Sequence, residues 1–267
     1  MIIDAHTHIY PDLVAEKAIR TIIGNTKGHL DAYTDGTFNN LLTSMDDAGI
    51  DISIVLTVAT NPEQGKGILQ WIKQIINLSP RMIYFGSVHP YDPNNKNIIK
   101  EIKELGIQGL KFHPAYQHFP ADSKEAYKVY DEALRNDLIL YFHSGFDVSM
   151  PESIYASIDR FSNLLKDFEG SKIVLAHAGG IGESEKILDL FSDKKCYYDT
   201  SFILEDMMLS EHAKELYRQN EDYFIFGTDS PWRDQKKYVD IIRNSDFLNE
   251  EQKDKIFYKN ILKLIKI

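Results

Sequence analysis

Eight short runs of apolar, largely β-branched residues recur along the chain, and longer segments with helical periodicity separate them. Runs such as residues 52–56 are apolar on both faces, which is typical of parallel strands covered on each side. The runs cover residues 2–6, 52–58, 82–88, 108–113, 138–143, 172–177, 196–200 and 223–228. Eight alternations of strand and helix predict an α/β protein, a single (β/α)8 TIM barrel with its active site at the C-terminal ends of the strands.

The segments between the runs carry the predicted helices, and none reads as a linker between domains. Helical periodicity covers residues 37–48, 68–78, 97–105, 123–136, 153–168, 183–191, 210–219 and 249–265. No stretch rich in Gly, Ser and Pro interrupts the series, so we expect residues 1–267 to form one domain. The long connection over residues 9–36 predicts a helix at 12–23 and then a loop, together a flap over the barrel mouth.

Charge and composition exclude several classes of protein. The 267 residues include 40 acidic and 30 basic side chains, a formal net charge of -10, which argues against nucleic acid as the main partner. The single cysteine, Cys196, cannot form an intramolecular disulfide. The N-terminus lacks the basic start of a signal peptide, and no apolar run approaches the roughly 20 residues of a membrane span. We expect a cytoplasmic protein that does not associate with a membrane.

Polar side chains stand where four of the predicted strands end. His6 and His8 are two residues apart and therefore face the same way, while His143, His177 and Asp229 follow the fifth, sixth and eighth runs. In a parallel barrel these ends converge on one mouth. Buried imidazoles and carboxylates without partners are costly, whereas together they ligate a divalent ion well. The sequence therefore predicts a metal centre at the mouth.

The fourth run adds Lys111 and His113, which share a face. A buried lysine beside a metal binds an anionic substrate or takes up carbon dioxide as a bridging carbamate. Alternatively, it is an ion-paired side chain at the rim. The sequence leaves these three roles open.

The motifs that carry these residues resemble one known family. Asp-Ala-His-Thr-His, Gly-Leu-Lys-Phe-His-Pro, Leu-Ala-His-Ala-Gly-Gly and Gly-Thr-Asp-Ser-Pro-Trp lie between residues 4 and 232. Together they resemble the amidohydrolase superfamily, and more narrowly the amidohydrolase-related branch with aminocarboxymuconate-semialdehyde decarboxylase and related lactone and amide hydrolases. The resemblance implies a zinc-type site with the ligands His6, His8, His143 and Asp229. It places His177 beside the metal-bound water or substrate, or on a second ion.

The same resemblance implies one divalent ion, most simply Zn²⁺, and leaves a second open. Members of the superfamily with two ions carry a carboxylated Lys or a Glu on the fourth strand, where this chain has Lys111. Imidazole and carboxylate ligands also suit manganese, iron and cobalt. A homodimer is compatible with the resemblance.

The expected activity is that of a metal-dependent hydrolase, which activates a metal-bound water to cleave an amide, lactone or ester bond of a small carboxylated substrate. Asp229 is the expected general base and then acid, and His177 the group that orients the water or polarises the carbonyl. The expected substrate-binding residues are Lys111, His113, Trp232 and Arg233.

Three alternatives remain open at this point. A non-oxidative metal-dependent decarboxylase would use the same ligands, and product analysis would distinguish it. A TatD-type metal nuclease shares the His-x-His motif but needs a carboxylate on the fourth strand, where Lys111 stands. A catalytically inactive barrel acting as a binding protein would have little reason to keep all five polar strand-end residues.

Overall fold

The computed structural model describes residues 1–191 and 193–267 of the chain. Within them, eight strands form two parallel sheets, in the orders β1-β2-β3 and β4-β5-β6-β7-β8. Strands that follow one another in sequence are therefore neighbours in space, as crossover helices require. The strands are β1 (Ile3–Thr7), β2 (Ile52–Leu56), β3 (Met82–Phe85), β4 (Gly109–Phe112), β5 (Ile139–Phe142), β6 (Ile173–Leu175), β7 (Tyr197–Asp199) and β8 (Phe224–Ile225).

Two narrow contacts join these sheets into the predicted (β/α)8 architecture. Gly86, just after β3, pairs with Leu110 of β4, and Thr7 of β1 pairs with Ser230 beyond β8. The backbone N–H of His8 also donates to the Ser230 carbonyl at 2.6 Å. Because all the strands run the same way, their carboxyl ends open on one mouth. The α/β barrel predicted from the alternating runs is confirmed.

A compact apolar cluster fills the inside of the barrel, and the C-terminal segment closes its lower end. Its buried members are Ile3, Ala5, Ile54, Leu56, Phe85, Ile139, Tyr141, Val174, Ala176, Ile225, Ile261, Leu264 and Ile265. The last three belong to the C-terminal segment, and Gln108 at the start of β4 donates its Nε2 to the Lys266 carbonyl at 2.8 Å. With this end sealed by packing, polar groups gather at the opposite mouth.

Helices cover the outside of the strands through a second, larger apolar cluster. They are α1 (Asp12–Asn25), α2 (Phe38–Ala48), α3 (Gln64–Ile75), α4 (Asn95–Glu104), α5 (Lys124–Arg135), α6 (Ile158–Asp167), α7 (Ser184–Phe191), α8 (Leu204–Leu209), α9 (Glu211–Gln219), α10 (Gln235–Arg243) and α11 (Glu250–Asp254). Helices α8 and α10 were not predicted from the sequence. The missed α10 begins behind an Asp234 side chain that caps it, accepting from the Lys236 and Lys237 N–H groups.

The single helix predicted over residues 249–265 was wrong. Helix α11 ends at Asp254, and a wide π-helical turn follows at Lys255–Lys259. The Ile256 carbonyl there accepts from the Phe226 N–H at 2.8 Å, which ties the wide turn to the end of the eighth strand. Tertiary hydrogen bonding to the eighth strand therefore overrides the local helical periodicity.

The long connection after β1 contains a helix, as predicted. Helix α1 begins at Asp12 as expected and ends at Asn25, two residues beyond the predicted 12–23. Its residues Val14 and Ile22 line the cavity at the mouth. Among the described residues, no helix combines the length and apolar character needed to cross a membrane.

The seam between β3 and β4 tolerates no side chain at Gly109. A Cβ atom built there would overlap the ring of Phe85. We expect Gly109→Ala to lower the free energy of unfolding by about 1–3 kcal/mol, because the ring has to move within a packed interior. Urea unfolding measures this. The control is Gly24→Ala in α1, where the new methyl group meets nothing within 4 Å and helix propensity rises. Equal stability of the two variants would contradict the prediction.

Candidate metal centre and cavity

Side chains from the first, fourth and eighth strands meet at the barrel mouth. His6 lies on β1 and His8 just beyond it, Lys111 lies on β4, and Asp229 follows β8. The Asp229 N–H donates to the His6 carbonyl at 2.8 Å, which holds these two segments side by side. Asp229 has a φ of 66°, an uncommon conformation for a residue other than glycine. Of the four strand ends that the sequence predicted to meet, the fold brings the first and the eighth together here, with Lys111 of the fourth strand beside them.

The hydrogen bonds behind His6 and His8 fix which nitrogen of each ring carries a proton. His6 Nδ1 lies 2.7 Å from Asp199 Oδ2, and His8 Nδ1 lies 2.7 Å from the Leu56 carbonyl oxygen. A carboxylate or carbonyl oxygen only accepts, so each neutral ring is protonated at Nδ1 and keeps a lone pair at Nε2. The two Nε2 atoms are 3.1 Å apart and lie 3.3 and 3.1 Å from Asp229 Oδ1. We call these three residues the strand-end cluster.

The strand-end cluster therefore brings two imidazole nitrogens and one carboxylate oxygen to within 3.3 Å of one another. Burial lowers the pKa of His6 to about 4, against the attraction of Asp229, so the ring is neutral at pH 7. Burial alone would raise the pKa of Asp229, but His6 and His8 outweigh it and hold that pKa well below its usual range. The buried Asp229 Oδ1 accepts no hydrogen bond. Two imidazoles with one carboxylate are a donor set that divalent transition metals accept.

Lys111 adds a positive charge beside the strand-end cluster. Its side chain is buried, and Nζ lies 3.3 Å from His6 Nε2 and 4.9 Å from the centre of the Tyr141 ring. Burial lowers the pKa of Lys111 to about 8, while Asp229 and Asp199 oppose the shift. Lys111 also lines the cavity, so it is placed where the sequence analysis expected it to meet a substrate.

Asp199, at the end of β7, is a site residue that the sequence analysis missed. It is fully buried, and its Oδ2 atom faces His6 Nδ1 and accepts from the Tyr141 hydroxyl at 2.5 Å. Its Oδ1 atom accepts from the backbone N–H groups of His177 and Ser201 at 2.8 and 3.0 Å. Burial would raise the pKa of Asp199, but His6, His177 and the Ser201 side chain hold that pKa well below its usual range. The same strand-end rule, applied to the seventh run, would have found it.

His143, predicted as a fourth ligand, lies outside the strand-end cluster. It groups instead with His113 and Asp147, the second set of residues whose ligand atoms lie within 4.8 Å of one another. The His113 and His143 rings stack with centroids 4.0 Å apart and an interplanar angle of 7°, and their Nε2 atoms lie 3.4 and 3.6 Å from Asp147 Oδ2. Two imidazoles and one carboxylate at these distances are also a donor set that could hold an ion. His143 as a ligand stays a prediction.

His177 connects this second group to Asp199. Its Nε2 atom lies 3.0 Å from His143 Nδ1, and its Nδ1 atom lies 2.8 Å from Ser201 Oγ. The residue has a φ of 58° and its side chain lines the cavity. His177 is therefore close to the strand-end cluster without being part of it, and its predicted roles as catalyst or ligand stay predictions.

A cavity of about 1010 Å³ opens above these residues. Lys111, His113, Trp232 and both tyrosines near the mouth, Tyr10 and Tyr116, line it.

Arg233 does not lie among the described residues that line this cavity. Its guanidinium group stacks 3.7 Å from the centre of the Phe202 ring and donates to the Trp232 carbonyl at 2.9 Å. Phe202 does line the cavity, so Arg233 stands one layer behind the wall. Of the four predicted substrate contacts, the structure places three on the cavity surface and this one behind it.

Solved structures of similar fold include two decarboxylases and a hydrolase. A 5-carboxyvanillate decarboxylase from Sphingomonas paucimobilis has a TM-score of 0.72 at 14% identity, with 100% of this chain and 99% of that chain covered. A dihydroxybenzoic acid decarboxylase from a Polaromonas species, with bound manganese and 2-nitroresorcinol, has a TM-score of 0.73 at 14% identity. The match covers 98% of this chain and 96% of that chain. A probable 2-pyrone-4,6-dicarboxylic acid hydrolase from Acinetobacter baumannii has a TM-score of 0.68 at 15% identity, and the match covers 98% of both chains. At such identities the likeness shows the fold.

The fold and the strand-end cluster define a barrel enzyme with side chains able to hold a metal at its mouth. The family model described as amidohydrolase matches residues 3–267. The chain belongs to this family of enzymes, as its motifs predicted. No curated protein matches it by sequence.

If Asp199 sets the tautomer of His6, its charge matters for metal binding. We expect Asp199→Asn to weaken binding of Mn²⁺ or Zn²⁺ by about 10–100-fold, the usual effect of losing the acceptor behind a ligating histidine. Competition against a chromogenic chelator measures the affinity. Asp206→Asn, the same change at an exposed position on nearby α8, is the control and should bind as the wild type does. Equal affinities for the two variants, both folded by circular dichroism, would show that Asp199 has no such role.

Proposed function

We propose that this protein is a non-oxidative, divalent-metal-dependent decarboxylase of an aromatic or enolic carboxylic acid. The observation that carries the proposal is the strand-end cluster of His6, His8 and Asp229, with its facing lone pairs, at the base of a cavity. The sequence analysis favoured hydrolysis. The comparisons support decarboxylation better, because decarboxylases recur among the structural neighbours.

We assign the metal to His6, His8 and Asp229. When bound, a divalent ion supplies positive charge that polarises the substrate oxygens next to the carbon undergoing reaction. Manganese is present in three of the structural neighbours, and this donor set also suits zinc, so elemental analysis of the purified protein distinguishes the two.

The residues of the chain would then bind the acid and handle its proton. Lys111 would pair with the substrate carboxylate, with His113 and Trp232 forming other parts of the wall. As the bond to the carboxyl carbon breaks, its electron pair stays on the substrate carbon, carbon dioxide leaves, and that carbon takes up a proton. Asp229, through its second oxygen, and His177 on the cavity wall are the residues that we assign to holding and returning this proton.

Hydrolysis of a lactone, ester or amide is the second candidate. One structural neighbour carries a hydrolase name, and the same Asp229 would act as general base toward water. The two reactions differ in their products, because only hydrolysis inserts an oxygen atom from solvent.

The test loads the protein with Mn²⁺ or Zn²⁺ and supplies a panel of 2-hydroxybenzoates in deuterium oxide. We expect release of carbon dioxide and one deuterium at the vacated carbon, abolished by a chelator. Asp229→Asn should lower the rate by about 100-fold or more, as loss of a general acid–base group does, whereas Asp206→Asn should not change it.

Two results would count against decarboxylation. One is incorporation of ¹⁸O from labelled water into the cleaved product of a lactone or amide panel, with no carbon dioxide released from any acid. The other is turnover that survives complete removal of the metal.

A further inference from the structure

The cavity lining extends beyond the strand-end cluster to side chains of two helices. Val14, Ala18 and Ile22 of α1 and Ile68 and Trp71 of α3 contribute apolar side chains, beside polar ones that include Lys17, Thr21 and Gln64. We call this part of the cavity, lined by α1 and α3, the limb. His6, His8 and Asp229 line the same cavity.

Helix α1 turns its apolar stripe toward this space. Val14, Ala18 and Ile22 are four residues apart, which places them on one face of the helix. An amphipathic surface helix normally packs such a stripe on the core. Among the described residues, neither of the two apolar clusters of the protein includes a side chain of α1. The stripe thus faces the cavity and leaves Val14 45% exposed.

The size of the cavity exceeds what one aromatic acid occupies. About 150 Å³ is enough for a single benzene ring, whereas this cavity measures about 1010 Å³. Pockets of about 300–1000 Å³ typically hold drug-sized ligands. A ring seated at the strand-end cluster would leave the limb between α1 and α3 empty.

We propose that the substrate is an aromatic carboxylic acid with an apolar arm several carbons long, and that this arm lies between α1 and α3. The proposal rests on the proposed function, which places the carboxylate against Lys111, beside the strand-end cluster. The arm covers the apolar stripe of α1 and the side chains of Ile68 and Trp71. The exposed polar residues Lys17 and Thr21, which also line the cavity, lie beside the stripe on α1.

Each methylene buried in the limb should tighten binding by about fourfold. The probes are 4-alkyl-2-hydroxybenzoates with chains from methyl to hexyl, titrated into the metal-loaded protein. The two tryptophans of the chain, Trp71 and Trp232, both line the cavity, so their fluorescence reports binding without turnover. We expect the dissociation constant to fall steadily along the series.

Gly67 in α3 provides the variant that fills the limb. It lines the cavity, and a Cβ atom added there would meet no atom within 4 Å. Gly67→Leu should flatten the chain-length dependence and leave binding of the methyl compound nearly unchanged. Gly24→Leu is the matched control, since Gly24 is also helical and open but does not line the cavity. It should keep the wild-type dependence, and thermal melting should show both variants folded.

The outcomes separate this inference from the proposed function. Affinity that rises with chain length in wild type and Gly24→Leu but not in Gly67→Leu supports the inference, whether or not carbon dioxide is released. A flat series in the wild type overturns it, even if every member is decarboxylated. A rise that is the same in Gly67→Leu and Gly24→Leu also overturns it, because the arm would then lie elsewhere.

Discussion

The convergence of three ligand atoms at the barrel mouth is the constraint on which the site depends. His6 Nε2, His8 Nε2 and Asp229 Oδ1 lie 3.1–3.3 Å from one another, with Lys111 Nζ 3.3 Å from His6 Nε2. Left alone, such groups would turn away or take up protons. Asp199 and the Leu56 carbonyl hold the two imidazoles from behind, and the His6 carbonyl holds the backbone of Asp229. This makes the mouth a site prepared for positive charge.

The groups that hold the strand-end cluster are buried and also join neighbouring strands. Asp4 accepts from the Thr228 hydroxyl at 2.6 Å and from Gln235 Nε2 at 2.7 Å, which ties the first strand to the segment that carries Asp229. Asp199 does the same between the seventh strand and His6. Charged groups buried this deeply cost free energy unless fully hydrogen-bonded. Their bonds at once close the barrel and fix the imidazole tautomers, so stability and site geometry are inseparable at this end.

The sequence predicts the parts of the structure that follow from periodicity and strand direction. Runs apolar on both faces give the parallel strands, and the convergence of strand ends brings His6, His8 and Asp229 together. What it does not predict depends on tertiary contacts. The contact of His143 with Asp147 and its stacking on His113 depend on how the fourth and fifth strand ends come together. The break after Asp254 follows from a hydrogen bond to the eighth strand, which no local pattern encodes.

The lower end of the barrel is a packed apolar core, whereas the mouth is open to a cavity. Helix α1 lines the cavity at the mouth. The lower end is filled by apolar side chains and sealed by the C-terminal segment, so substitutions there act on folding. Among the described residues, α1 contributes to neither apolar cluster, so its stripe contributes little to the core. Removing the apolar stripe of α1 from water is favourable, and because the core does not cover the stripe, a bound molecule has to do so. The cavity beneath it is where that molecule binds, and the residues of α1 are then free to set which molecule fits without altering the barrel.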